Sequence, residues 1–362
     1  MLPLIIYFQY EAPAFSFLAN VAAVPLATCA FTLAFLLIFL PYTVFHEAIS
    51  WMIQGVLWIS RQSYGMLTIG HVPFLWVLLF YFMTGLWIWK KNGQNRHIRI
   101  SLAYVIMIIL IWIPMARRKS LAFLDVGQGD CFVADTKSGA IIFDGGSSSE
   151  DQVGRYRILP YMKYLGYQKI QIAVISHMDI DHYSGIKELL EMGKIKYLGL
   201  PEIPKDATMK KIIGIAKKRG TTIFYLSRGR QITTKDGSLK VLHPQKNSQM
   251  EKNAASLVMQ GKILGYRVLL TGDVEKEGEE ELLSEELERA DILKAAHHGS
   301  KNSTSNEFLQ KVQPKQTVIS CGKQNRYGHP HLETIHRLQT YRTKIYRTDR
   351  SGAIIFFKRR DG

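Results

Sequence analysis

Residues 176–185 read SHMDIDHYSG and place two histidines and two aspartates, His177, Asp179, Asp181 and His182, within six positions. Imidazole and carboxylate are the common protein ligands of divalent ions such as zinc and manganese. Four candidate ligands in so short a run exceed what one ion can take, and two ions a few ångströms apart would use them better. A solvated, aspartate-rich turn is the competing reading of this stretch alone. Other strand ends repeat the chemistry: TGD closes the apolar run YRVLL at Asp273, HHGS follows DILKAA at His297 to Ser300, and IIFDGG closes at Asp144. Four apolar runs that each end in His or Asp point to one shared site, because rigid scaffolds place ligands on the loops at strand ends.

These motifs resemble the metallo-β-lactamase fold, whose HxHxDH signature is matched by His177, Asp179, Asp181 and His182 with aspartate in place of the second histidine. The framing motifs LDVGQGD (124–130), IIFDGG (141–146), SLV (256–258), LLTGD (269–273), KAAHHGS (294–300) and NRYGHPH (325–331) are similar to those of one branch, the C-terminal domain of the ComEC family of natural competence. The resemblance implies that His177 and Asp179 hold a first ion, Asp181 and His182 a second, that Asp273 bridges them, and that His297 completes the second. His298 is then a neighbour facing phosphate, and Asp181, Asp273 and His298 are the expected catalytic groups. The superfamily's histidine ahead of the SLV strand has no counterpart in EKNAA (251–255), so the first ion is short of a ligand, which Asn253 would fill only in part. An oxygen-rich site of this kind favours Mn or Mg, with Zn as the alternative. Asp125, Gln128 and Asp130 are expected to brace the site or touch substrate, or else to form a turn. Asp144 is expected to orient a ligand histidine. Ser300, His329 and His331 are candidates for substrate contact. His46, His71, His97, His243 and His336 stand alone and read as structural.

The elements that must position these residues follow from the pattern. LAFLDVG, CFVADT and AIIFDGG form a strand meander, and IQIAVIS delivers the histidines to a strand-to-helix loop, with helix from about Ser184. KVLHP, SLVMQGK, YRVLLTGD, DILKAA, QTVISCG and GAIIFFK read as strands, and RYRILPYMKYLGY, ATMKKIIGIAKKRG, EKEGEEELLSEELERA and NEFLQKVQ as helices. The expected class is α+β, an αββα sandwich over residues 120–362.

Composition divides the chain. Residues 1–115 hold five basic and two acidic residues, a net +3, whereas the rest carries +13 of the total +16. The uncharged stretches Asn20–Phe45, Val72–Trp89 and Ser101–Met115 read as three membrane spans, with 46–67 lying in the interface and 116–119 as a basic linker. FSFLANVAAVPLATCAF resembles the end of the polytopic competence region, which implies a split product, a truncated copy or a fragment that needs companion subunits. No basic region precedes the first apolar residues, so a cleaved leader is not expected. Three cysteines far apart and without CxxC spacing argue against a disulfide framework or a cysteine zinc site. Basic residues at 205–219 and 342–360 suit DNA, with anionic lipid or plain solvation as competing readings. The expected protein is therefore a multi-pass bacterial membrane protein carrying a two-metal phosphodiesterase, a nuclease of DNA uptake acting on single-stranded DNA without sequence preference. A hydrolase of envelope or small phosphodiesters and a non-catalytic component of the uptake channel are the alternatives.

Overall fold

The computed structural model describes residues 2–13, 16–39, 43–61, 65–89, 101, 102, 105 and 118–359, apart from 252 and 286. The chain forms two compact units, Met1–Met115 and Ala116–Gly362.

The first unit contains helices α1 (Leu2–Gln9), α2 (Ser16–Leu36), α3 (Thr43–Arg61) and α4 (Phe74–Trp89). Two short strands, β1 (Glu11–Pro13) and β2 (Met66–Thr68), pair antiparallel. Within α2, Ala19–Leu36 has a mean hydropathy of 1.8 and is long and apolar enough to cross a membrane. The stretch expected as the first span is divided between α2 and the start of α3. Helix α4 is apolar but has only 16 residues, and nearly all of the third expected span, 101–115, lies outside the described residues. Phe31, Trp51 and Phe82 are each more than half exposed, an arrangement costly against water and natural against lipid tails.

The second unit is an αββα sandwich. Its first sheet runs in the order β16 (Ile354–Phe357), β3 (Ser120–Phe123), β4 (Phe132–Thr136), β5 (Gly139–Phe143), β6 (Ile170–Val174), β7 (Ile195–Pro201), β8 (Thr222–Leu226). The second runs β15 (Lys344–Arg347), β14 (Gln316–Ile319), β13 (Ile292–Lys294), β12 (Tyr266–Leu270), β11 (Val258–Ile263), β10 (Gly237–His243), β9 (Gln231–Thr234). Each sheet begins as an antiparallel meander and continues with parallel strands joined by helices.

Both faces of these sheets are covered, which is why the strands read as continuous apolar runs. Alternate residues of one strand serve different cores: Phe132 and Ala134 point between the sheets, while Val133 packs outward. In β12, Val268 and Leu270 enter the same central layer, and Leu269 meets Leu282, Phe308 and Leu338 on the outer side. The outer side of the first sheet is sealed by α6 (Ile180–Glu191) and α7 (Ala207–Lys218), after a shorter α5 (Leu159–Tyr164). Three more helices, α8 (Lys276–Leu283), α9 (Asn306–Val312) and α10 (Leu332–Thr340), seal the second. Truncating a fully buried residue such as Leu269 to Ala should cost about 2–5 kcal/mol.

The carboxyl ends of β5, β6, β12, β13 and β14 open on one edge of the sandwich. Asp144, His177, Asp273, His297 and Ser320 follow these ends, so parallel pairing brings together residues that lie far apart in sequence. Parallel strand ends are the usual ligand edge of such sheets. Strands β7, β8, β9 and β15 and helix α10 were not expected from the sequence pattern.

Candidate metal centre

The β6 strand stops at Val174, and Asp179 caps a helix that begins at Ile180. Helix thus starts four residues before the expected Ser184, and Asp181 and His182 occupy its first turn rather than a loop. Gly146 explains the close fit behind them. A Cβ there would lie 2.5 Å from the Ile180 carbonyl oxygen, so only glycine lets the FDGG loop press against the start of α6.

His182 is fully buried, with its Nδ1 3.0 Å from Asp144 Oδ2 and its Nε2 3.1 Å from Asp273 Oδ2. Asp144 therefore accepts the Nδ1 proton and turns the Nε2 lone pair toward Asp273. His298 is held the same way, since its Nδ1 donates to the Ser320 carbonyl at 2.9 Å and its Nε2 lies 3.3 Å from Asp273 and 3.5 Å from Asp181. His177 contacts Ser176 Oγ through Nδ1 at 3.0 Å and faces Asp179 through Nε2 at 3.6 Å. Ligand atoms of Asp130, His182, Asp273 and His298 all lie within 4.8 Å of one another. The buried Nε2 atoms of His177, His182 and His298 have no well-directed hydrogen bond. Unpaired buried polar atoms are costly unless something coordinates them, and this donor set fits divalent metal.

The electrostatics agree. Burial opposes charge on His298, yet Asp273 and Asp130 beside it push it up to about 10. Asp181 is pulled upward by burial, but the nearby rings of His298 and His182 hold it at about 2. Burial also works against charge on Asp273, whose carboxyl His182, His298 and Lys294 together hold well below the usual range. A buried pocket crowded with carboxylates demands positive charge.

His297 and His298 both have positive φ, 46° and 53°. Two consecutive left-handed residues cost roughly 1–2 kcal/mol each, a strain that fits a site where ring direction is fixed by function. The two rings consequently diverge. His297 Nδ1 lies 2.8 Å from Glu275 Oε1 and its Nε2 stands 3.8 Å from Asp273, so His298, expected as the neighbour, sits deeper in the cluster than His297, expected as the ligand.

The other expected residues separate clearly. Asp130 lies inside the cluster. Gln128 is buried beside it and accepts from the Gly322 amide through Oε1 at 3.1 Å. Asp125 accepts from the Gly127 amide at 3.2 Å and braces the turn. Ser300 closes the loop after the histidines, its amide donating to the His297 carbonyl at 2.8 Å. His331 caps α10 and accepts from the Lys301 amide at 3.2 Å. His329 faces the cleft, where burial and the neighbouring histidines push it down to about 4. Asn253 lines an adjacent cleft together with Asp179 and Glu275. His243, read as structural, is buried with Nδ1 2.8 Å from Glu281. All three cysteines are free.

Lys294 was missed. It ends β13, is buried, forms an ion pair with Asp130, and lies 3.5 Å from Asp273 and 2.9 Å from the Gly272 carbonyl. The signal available was a lysine inside the otherwise apolar run DILKAA. Its ammonium ties a loop of the first sheet to a strand end of the second. Above the cluster opens a cleft of about 400 Å³ lined by Gln128, Asp179, Asp181, His297, Tyr327 and His329, among others.

The metallo-beta-lactamase superfamily model matches residues 124–323. ComE operon protein 3 of Bacillus subtilis is 33% identical over 294 residues, 75% of this chain and 38% of that protein. Competence protein ComA of Neisseria gonorrhoeae is 31% identical over 245 residues, 66% of this chain and 32% of that protein. Recombination protein 2 of Haemophilus influenzae is 27% identical over 268 residues, 73% of this chain and 32% of that protein. This chain thus spans about a third of the length of these relatives. A sandwich with a buried Asp and His cluster at its strand ends, matched to such relatives, places the chain in the metallo-β-lactamase superfamily and within its ComEC family of competence proteins.

Proposed function

We propose that the chain is a membrane-anchored, metal-dependent phosphodiesterase, a nuclease that degrades DNA during uptake in natural competence. The observation that carries this reading is the convergence of Asp130, Asp181, His182, Asp273 and His298 at the floor of an open cleft. Asp181, His182, Asp273 and His298 would hold one ion; His177 and Asp179, sharing Asp273, would hold a second. Divalent ions bound there would supply a water acidic enough to ionise near neutrality and charge to offset that developing on phosphate.

The protein's own groups do the rest. Asp144 and the Ser320 carbonyl hold His182 and His298 in the tautomer that presents Nε2 to the cleft. Lys294 keeps Asp130 and Asp273 in place across the two sheets. His297, oriented by Glu275, borders the cleft where a leaving group would depart. A solvent-open cleft suits a polymer threading past the site. Exposed lysines 205, 210, 211, 217 and 218 around α7, with Arg342, Lys344 and Arg350 near the C-terminus, would attract a polyanion in a salt-dependent way. The apolar helix α2 supports anchoring in the membrane, and the names of the relatives support a place in DNA uptake. Three spans, a soluble domain over 120–362 and companion subunits supplying further spans complete the proposal.

The test uses the full chain in detergent, stripped with chelator and resupplied with Mn at low salt. Cleavage of single-stranded DNA should return with metal and vanish in Asp273→Asn. Intact DNA alongside hydrolysis of a small phosphodiester would rule out the nuclease; no turnover of either substrate would indicate a non-catalytic channel component.

A further inference from the structure

Beside the metal cluster the cleft wall is unlike its floor. Tyr327 lines it with its side chain well exposed, and Ile180, 54% exposed at the first turn of α6, lines it too. An aromatic ring and an isoleucine left open at the mouth of a polar cleft gain nothing from water. The rings form a ladder from the floor outward: His298 to His329 at 6.2 Å between centroids with planes 29° apart, then His329 to Tyr327 at 5.7 Å and 22°. Arg326 completes the edge, its guanidinium 4.8 Å from the Tyr327 centroid and its Nη2 2.6 Å from the Tyr327 hydroxyl.

The loop carrying Tyr327 is fixed in advance. Asn325 donates from Nδ2 to the Gly322 and His329 carbonyls at 2.9 and 2.6 Å and accepts from the His329 amide at 2.9 Å. A side chain held on a pinned loop loses little freedom when a ligand arrives. Every nucleobase has a π-face, and stacking on a protein aromatic ring is sequence-tolerant. The exposed Arg326 is a flexible end that a base can displace, and its charge then meets the backbone phosphate.

We propose that Tyr327, backed by His329 and flanked by Ile180 and Arg326, is a stacking subsite for an unpaired nucleobase next to the phosphate held over the metal cluster. This rests on the phosphodiesterase reading and narrows its substrate to single strands, since a duplex offers no free base face at that point. Tyr327 is a specificity-determining residue, not a group acting on the bond.

The test reads binding apart from cleavage. The full chain in detergent with chelator is titrated, by fluorescence anisotropy, with a single-stranded oligothymidylate and with an oligomer of equal length and charge whose sugars lack bases. Wild type should prefer the base-bearing oligomer. Tyr327→Ala should weaken that oligomer about tenfold and leave the abasic one unchanged, while Tyr327→Phe keeps the preference. Equal wild-type affinities for the two oligomers, or an equal loss on both in Tyr327→Ala, would overturn the subsite. Failure of the metal-dependent cleavage assay would instead sink the nuclease, whatever this titration reads.

Discussion

One half of the proposed metal centre draws Asp181, His182, Asp273 and His298 from three separate segments of two sheets, with His182, Asp273 and His298 buried; the other has His177 and Asp179, two residues of one loop. Exposure sets Asp179 apart, since His177 is as buried as the residues of the dense half. The Asp273 and His298 side chains are 4% and 1% exposed, whereas that of Asp179 is 39% exposed. Ligands gathered from distant segments are prepaid by the fold, since packing fixes them before an ion arrives. A pair of ligands from one loop is held by fewer elements, and Asp179 sits where substrate and solvent enter. The dense half should therefore bind metal tightly, and the sparse half should bind weakly and be completed by substrate.

Breaking the shared element should do the most damage. Asp273→Asn, proposed to serve both halves, should lower metal-dependent DNA cleavage by roughly 10³-fold or more, checked by rate with circular dichroism as a control for folding. The two adjacent histidines then give a sharper contrast: His298→Ala should approach that loss, while His297→Ala, removing a ring at the rim, should cost about tenfold. Equal losses would erase the distinction between buried and peripheral rings.

Supports of the dense half come next. Asp144→Asn and Lys294→Met should each weaken metal affinity by about 10–100-fold, read by calorimetric titration. Asp144→Asn frees the tautomer of His182, and Lys294→Met leaves Asp130 without its counter-charge. The sparse half can be strengthened instead: Asp179→His should shift preference from Mn toward Zn by about tenfold, because it restores a nitrogen ligand. The smallest effect lies far from the centre, at Asp291. Burial works against its charge, but the Arg267 amide, Lys315 and Arg359 hold its carboxyl below the ordinary 3.8. A depressed carboxylate stabilises the fold above its unfolded value and loses that contribution as pH falls toward the folded one. Asp291→Asn should lower Tm by about 2–4 °C at pH 7, with the curves converging below about pH 4.

The same division explains what could be seen in the sequence. His177 to His182 announce themselves because their spacing is local, and the strands ending in Asp144, Asp273 and His298 are marked by apolar runs with abrupt polar ends. The sandwich was legible for that reason, since strands covered on both faces leave long apolar signatures. Which histidine of HHGS turns inward was not legible, because it depends on two consecutive left-handed residues that no side-chain pattern encodes. Lys294 was hidden because its partners, Asp130 and Asp273, belong to other strands. Strands β8 and β15 carry exposed or half-exposed residues and lie at sheet edges, which removes the apolar run. In β7, Gly199 and Pro201 read as breakers; a Cβ at Gly199 would lie 2.9 Å from the tip of the Phe224 ring, which would have to shift to admit it.

The most direct test is an equilibrium Mn titration of the chelator-stripped full chain, compared with His298→Ala and Asp179→Ala. Tight binding that disappears in His298→Ala and survives in Asp179→Ala is the predicted result. Tight binding that survives in His298→Ala and disappears in Asp179→Ala would contradict the account, because the centre would then be organised around the 177–179 loop rather than around the strands that converge on it.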